Sequence, residues 1–373
     1  MFIRTFGWSF ATTIAGLVAA GLIWGAQGFG VVLILAILEI SLSFDNAVVN
    51  ATVLKRMNPF WQKIFLTVGV LIAVFGMRLV FPLAVVGLTA QLSPSTVLDL
   101  ALHADHTAGG LTYAQHLEAA GPAIAAFGGV FLLMIFLDFL LGEKDYHWLR
   151  PLERPLERIG QLKAATTVVA LLTLVLTAHF LAGDHAETVL LAGVLGLATY
   201  LTVNGLSSLF ESSLEGAEEA AEAAQQHAHQ GGGATAVQLA GKAAFFLFLY
   251  LEVLDASFSF DGVVGAFAIT DNLFQITLGL GIGALYIRSL TVFLVRKGTL
   301  DDYVYLEHGA HYAIGALAVI LLVSIEYKIP ELVTGLIGVT FIGAALASSV
   351  RRNRREAELE EALDREPVQL GRP

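Results

Sequence analysis

Two stretches of this chain place acids at the same spacing inside apolar surroundings. The first runs Glu39, Ser41, Ser43, Phe44, Asp45, Asn46, and the second runs Asp255, Ser257, Ser259, Phe260, Asp261, Gly262. Acid, x, Ser, apolar, Ser, Phe, Asp recurs without a change in register. Glu252 precedes the second copy by less than one helical turn. Carboxylates, hydroxyls, an Asn carbonyl and backbone carbonyls are oxygen donors, the set that Mg²⁺, Ca²⁺ and Mn²⁺ prefer. Six residues turn an α-helix by roughly 600°, which leaves Glu39 and Asp45 roughly 120° apart. Both can line one cavity if the helix is distorted between them. Ser41, Ser43 and Asn46 suit such a break, and so does Gly262.

Each motif is followed by an apolar run holding one arginine, Arg78 or Arg288, and then by a run with an acid near its end, Asp138 or Glu326. A charge at the centre of a membrane helix costs about 2.5–3.5 kcal/mol on insertion scales. Glu39, Asp45, Glu252, Asp255 and Asp261 against Arg78 and Arg288 leave a formal excess of three negative charges. Protons, a bound cation or both would relieve it. An ion-pair network that holds a helix bundle together is the competing reading, and it suits the two arginines well. Asp138 and Glu326 can equally be interfacial, and Ser43 and Ser259 are secondary ligand candidates.

The elements that must carry these residues are membrane helices. The 373 residues are 56% hydrophobic and 14% charged, whereas soluble domains run near 25% charged. The apolar residues gather in runs long enough to cross a bilayer core. This excludes a soluble enzyme, a disordered chain and a nucleic-acid binder. The absence of Cys removes disulfides, thiolate metal sites and cysteine nucleophiles. The expected fold is an all-α, polytopic membrane bundle of about ten spans, at roughly 5–26, 29–53, 64–88, 122–141, 164–181, 188–210, 243–266, 273–295, 312–325 and 331–348. The first of these is expected to be a retained span. The chain divides into an N-terminal span (1–28), a first three-span unit (29–141), a middle region (142–242), a second unit (243–348) and a tail (349–373). The middle region holds a basic linker, two spans and an acidic loop.

With the N-terminus cytoplasmic, 18 of the 21 Lys and Arg residues fall on the inner side. That satisfies the positive-inside rule and puts both termini in the cytoplasm of a cell that carries the protein in its plasma membrane, of bacterial inner-membrane type. The two motif spans then cross in opposite directions. Inverted repeats of this kind characterise secondary transporters with a midplane site. The loop 89–121 has no base and holds His103, Asp105, His106, His116 and Glu118. It could gather cations or be an ordinary polar loop. His227 and His229, in the acidic stretch 211–241, are read as part of a solvated linker, and the tail from Arg351 as interfacial or disordered.

The motif at 39–49, its echo at 255–264 and the arginine spans resemble the TerC-type integral membrane proteins, named for tellurium resistance and related to the wider LysE-type exporters. The resemblance implies a transporter that exports a divalent metal, manganese first and calcium second, with Glu39, Asp45, Asn46, Asp255 and Asp261 handling the cation. It implies no tightly bound cofactor. The partners expected are the lipid bilayer, divalent ions and protons. A non-transporting membrane partner in tellurite or stress resistance, or in metal loading of exported proteins, is the alternative. No nucleophile constellation or phosphate-binding loop supports an enzyme. Gly262 stands where the first copy has Asn46, which makes the second ligand set the poorer one.

Overall fold

The computed structural model describes residues 2–365 apart from 56, 104, 145, 163, 206–240, 267–268, 271 and 298–302. His227, His229 and nearly all of the acidic stretch 211–241 lie outside these residues. The regular elements among the described residues are helical. They are α1 (Phe2–Leu42), α2 (Phe44–Leu54), α3 (Pro59–Thr89), α4 (Pro94–Leu102), α5 (Tyr113–Ala119), α6 (Gly121–Leu141), α7 (Arg150–Gly160) and α8 (Ala165–Phe180). Then follow α9 (Gly183–Gly205, opening with one 3₁₀ turn), α10 (Gly241–Ala266), α11 (Leu273–Lys297), α12 (Leu306–Ser324) and α13 (Glu331–Arg365).

Local sequence sets several of the starts. Asn58 caps α3 by accepting the Trp61 N–H at 3.0 Å, with Pro59 in the first turn. Ser93 and Pro94 open α4 in the same way, and Thr112 with Gln115 forms a reciprocal capping box on α5.

Six helical stretches are long and apolar enough to cross a bilayer: Thr5–Ile40, Pro59–Thr89, Gly121–Leu141, Gly183–Gly205, Leu273–Val295 and Leu306–Ser324. A seventh results if α7 and α8, which meet at 103°, count as one broken span. Trp8, Leu22, Leu88, Leu172, Leu191 and many other large apolar side chains face outward. An apolar surface of that extent suits hydrocarbon rather than water, and the chain is a multi-pass helical membrane protein.

Within α1, Gly25 has φ +70° and ψ −166°, a conformation open to glycine and outside the helical region. Before it, the chain runs antiparallel to α11. Ser9 Oγ meets Ser289 Oγ at 2.7 Å, Thr13 donates to the Tyr286 hydroxyl at 3.3 Å, and Gly16 abuts Ile282. After it, Leu35 packs on Gly279 and Glu39 on Gly283, so the second arm runs parallel to α11. The element is therefore a hairpin whose two arms embrace one helix, with Ala20, Val32, Ala36 and Ile282 buried between them.

Among the six membrane-length stretches, α6 and α12 are the most buried. Gly129 of α6 takes Leu322 against its backbone, and Gly315 of α12 takes Phe136, an antiparallel contact allowed by small residues. Helix α13 continues unbroken past residue 349 to Arg365, beyond the expected start of an irregular tail. Arg352 pairs with Glu356 at 2.7 Å and lies 4.5 Å over the Tyr146 ring, contacts that favour helix there.

Candidate functional site

The first motif is split between two helices, as its polar residues suggested. Helix α1 ends at Leu42, Ser43 leaves helical geometry (φ −99°, ψ 16°), and α2 starts at Phe44. The Ser43 N–H still donates to the Glu39 carbonyl at 2.9 Å, and its hydroxyl donates to Glu39 Oε1 at 3.1 Å. The serine thus satisfies the backbone it disturbs and orients the acid. The second motif behaves differently. Helix α10 runs without a break through Asp255 and Asp261, so the distortion expected at Gly262 is not seen. That glycine has another use. A β-carbon on it would lie 3.2 Å from Glu39 Oε2, so the bare position lets α10 come close to the carboxylate of the other copy.

Helix α3 brings Arg78 in from the side, through two π-type stretches, Phe65–Gly69 and Ile72–Val80. Widened turns of this kind are frequent at functional sites. Arg78 Nη2 pairs with Glu39 Oε1 at 2.5 Å, while Nη1 donates to the Ala73 carbonyl at 2.7 Å and reaches Asp255 Oδ2 at 3.5 Å. From α11, Arg288 Nη2 pairs with the same Asp255 oxygen and with Glu252 Oε1, each at 3.4 Å. Arg288 also lies 3.9 Å over the Phe65 ring and donates to the Phe65 carbonyl at 3.4 Å. One aspartate oxygen therefore joins two arginines carried by different helices.

All five charged residues are buried, at 2–5% exposure. Three carboxylates face two guanidiniums. Some polar capacity is left over among the described residues: Glu252 Oε2, Arg78 Nε and Thr277 Oγ1 have no hydrogen-bond partner, and neither does either amide atom of Asn50. Unpaired buried polar atoms are costly, about 1–3 kcal/mol each. Two of these atoms, Glu252 Oε2 and Arg78 Nε, belong to the charge cluster itself and leave it capacity for a small polar or charged ligand.

Of the residues singled out from sequence, Glu39, Arg78, Glu252, Asp255 and Arg288 come together, with Ser43 beside them. Asn46 is buried on α2. Asp45, Ser259 and Asp261 lie on described helical backbone, and their side chains are outside the described residues. Asp138 is held elsewhere, accepting the Tyr200 hydroxyl at 2.5 Å on the α6–α9 side. Sequence reading passed over Asn50, although it stands four residues after Asn46 on the same helical face. It also passed over Glu153, a fully buried acid that accepts from Tyr312 at 3.1 Å and from the Leu149 N–H at 3.2 Å.

The chain is thus a multi-pass helical membrane protein whose interior packs two arginines against three carboxylates. The chain belongs to the family described as "Protein of unknown function (DUF475)", which matches residues 44–356. That match takes in both arginines and every site acid except Glu39. Comparison with curated proteins and with solved structures gives no match.

Proposed function

We propose that this protein is a secondary transporter that exports a divalent metal cation, manganese first and calcium second, through a midplane carboxylate site. The observation that carries this reading is the buried cluster of Glu39, Glu252 and Asp255 around Arg78 and Arg288, in which Glu252 Oε2 has no hydrogen-bond partner among the described residues. That surplus carboxylate oxygen offers a hard donor to a hard cation. Asp45, Asn46 and Asp261 would complete the ligand set.

The inverted-repeat reading has support in the pairing. Aligning the motifs sets Glu39 against Asp255, and each copy's arginine pairs with its own first acid, Arg78 with Glu39 and Arg288 with Asp255. In this reading ten spans cross the plasma membrane, the two arms of α1 are separate spans, and both termini are cytoplasmic. The TerC-type resemblance points to the same substrate class.

The 2.5 Å pair of Arg78 and Glu39 favours a second reading, in which the cluster braces a non-transporting membrane partner in stress resistance. Calorimetry separates the two. Purified protein is titrated with Mn²⁺, Ca²⁺ and Mg²⁺ across a pH series, alongside Asp45→Asn and Asp261→Asn. The transporter reading expects binding that weakens as pH falls, because carboxylates ligate only when ionised, and that drops sharply in both variants. It also expects cellular manganese to rise when the protein is deleted and fall when it is overproduced. PH-independent binding that both variants retain, with unchanged metal content, would return these acids to a bracing role.

A further inference from the structure

Away from the buried cluster, Asp99, His103 and His106 converge at the end of α4. Asp99 and His103 are four residues apart on one helical face, and a turn closed by the His106 N–H on the His103 carbonyl (3.0 Å) folds His106 back over them. His106 Nδ1 lies 2.8 Å from Asp99 Oδ2, and His103 Nδ1 lies 3.1 Å from Asp99 Oδ1. The two imidazoles stack, with centroids 4.5 Å apart and planes 22° apart. One ligand atom from each of the three residues falls within 4.8 Å of the others.

We propose that Asp99, His103 and His106 form a binding site for a borderline first-row divalent cation, Zn²⁺ by donor set. Two imidazole nitrogens, one carboxylate oxygen and a water make up a four-coordinate zinc shell. Bonds of about 2.0–2.1 Å in tetrahedral geometry put ligand atoms about 3.3 Å apart. The three ligand atoms already lie within 4.8 Å of one another, so rotation of exposed side chains suffices to bring them to that spacing. All three side chains are about half exposed, which leaves room for the water and a path for a hydrated ion.

The base of the site is firm. Ser93 caps α4, and Val97, Leu100 and Ala101 bury its opposite face against Val86, Tyr113 and Leu117. Beyond His106 the chain is pinned by the paired backbone of Ala108 and Leu111, and His116 Nε2 bonds the Ala108 carbonyl at 2.9 Å. Asp105 adds negative charge in a stretch that has no Lys or Arg from residue 79 to residue 143, while Glu118 is paired with Lys328. The potential beside Asp99 and Asp105 therefore draws in cations. The donor set also separates this site from the buried one, whose ligands are all oxygens. Nitrogen donors favour zinc, copper or nickel over manganese and calcium.

The test uses the full chain in detergent, purified on a tag without histidines. Zn²⁺ is titrated in competition with a chromogenic chelator, and Co²⁺ is added separately as a spectroscopic probe of tetrahedral coordination. Wild type should bind one more Zn²⁺ equivalent than the His103→Ala/His106→Ala double variant. Asp99→Asn should weaken that equivalent more than about tenfold, the least expected for loss of a group that holds a metal. The intense visible bands of tetrahedral Co²⁺ should vanish in the double variant, and a large excess of Mn²⁺ should leave the Zn²⁺ bound. Thermal melts of the apo-variants should match wild type, since the side chains are exposed. Retention of the Zn²⁺ equivalent by the double variant, or its displacement by Mn²⁺, overturns the proposal.

Discussion

Gly69 of α3 stands directly against Glu252 of α10: a β-carbon on the glycine would lie 2.7 Å from Glu252 Oε1 and equally close to Arg288 Nη1. The position is bare because an ion pair occupies the space a side chain would need. Gly69→Ala should therefore push the two charges apart and lower stability by about 1–3 kcal/mol, the usual range for overpacking. Thermal unfolding in detergent measures this. A melting temperature equal to wild type would mean that the pair can move aside.

Arg78 neutralises two acids on different helices, so its loss should be the most damaging single change in the bundle. Arg78→Ala should destabilise by about 3–5 kcal/mol, the cost of leaving buried charges unpaired. Adding Glu39→Gln should restore part of that loss, since the carboxylate left closest to the gap is then neutral. Expression level and melting temperature of the single and double variants check the order, and a double variant worse than Arg78→Ala refutes the pairing.

Gly25 turns the two arms of α1 back on each other with a positive φ. Gly25→Ala should cost about 1–3 kcal/mol, because φ +70° with ψ −166° is a region essentially reserved for glycine, and Gly25→Asn should cost as much. Equal stability of all three proteins would show that the reversal does not depend on glycine.

The polar corner formed by α7 should weaken in acid. The hydrogen bond from His147 and then the Lys144 N–H hold the Glu157 carboxyl below the usual carboxylate range. A depressed folded value means that the stabilisation is in force above the ordinary Glu range and fades as pH falls through the lower folded value. Wild type should melt above Glu157→Gln near neutral pH, with the gap closing below about pH 4. A gap that is constant from pH 3 to pH 7 contradicts the pairing.

Orientation can be read by labelling. Cysteines placed at Thr107 and Asp184 should react with an impermeant reagent added outside intact cells, and one at Gln161 should not. Reaction at Gln161 reverses the assignment and removes the midplane placement of the cluster.

Much of the cluster was legible because a charge inside an apolar run is conspicuous. Glu39, Arg78, Glu252, Asp255 and Arg288 each stand out for that reason, and all five meet. The bend at Ser43 was legible too, from short polar side chains able to satisfy a freed backbone. What sequence did not disclose is which acid pairs with which arginine. The reach of Arg78 to Asp255 across 177 residues depends on the π-type turns of α3, which change the direction of the side chain without any residue type that announces them. Asn50 was hidden because one amide in an apolar helix resembles ordinary helix decoration until its burial is known. Asp99 was missed for a different reason. Its helical spacing to His103 was visible, but the turn that returns His106 to the same face was not.

The embrace of α11 by the α1 hairpin bears on how the protein is made. Ser9 and Ser289, in contact at 2.7 Å, are separated by 280 residues of chain. At a synthesis rate of about 5–20 residues per second, the ribosome needs on the order of 14–56 s to deliver the second after the first. Throughout that interval the hairpin sits in the lipid without the helix it is shaped to hold. Glu39 is sheltered first, by Arg78, which emerges 39 residues later. Gly283, against which its stem packs, arrives last of all. The hairpin is thus made long before the helix that completes its packing.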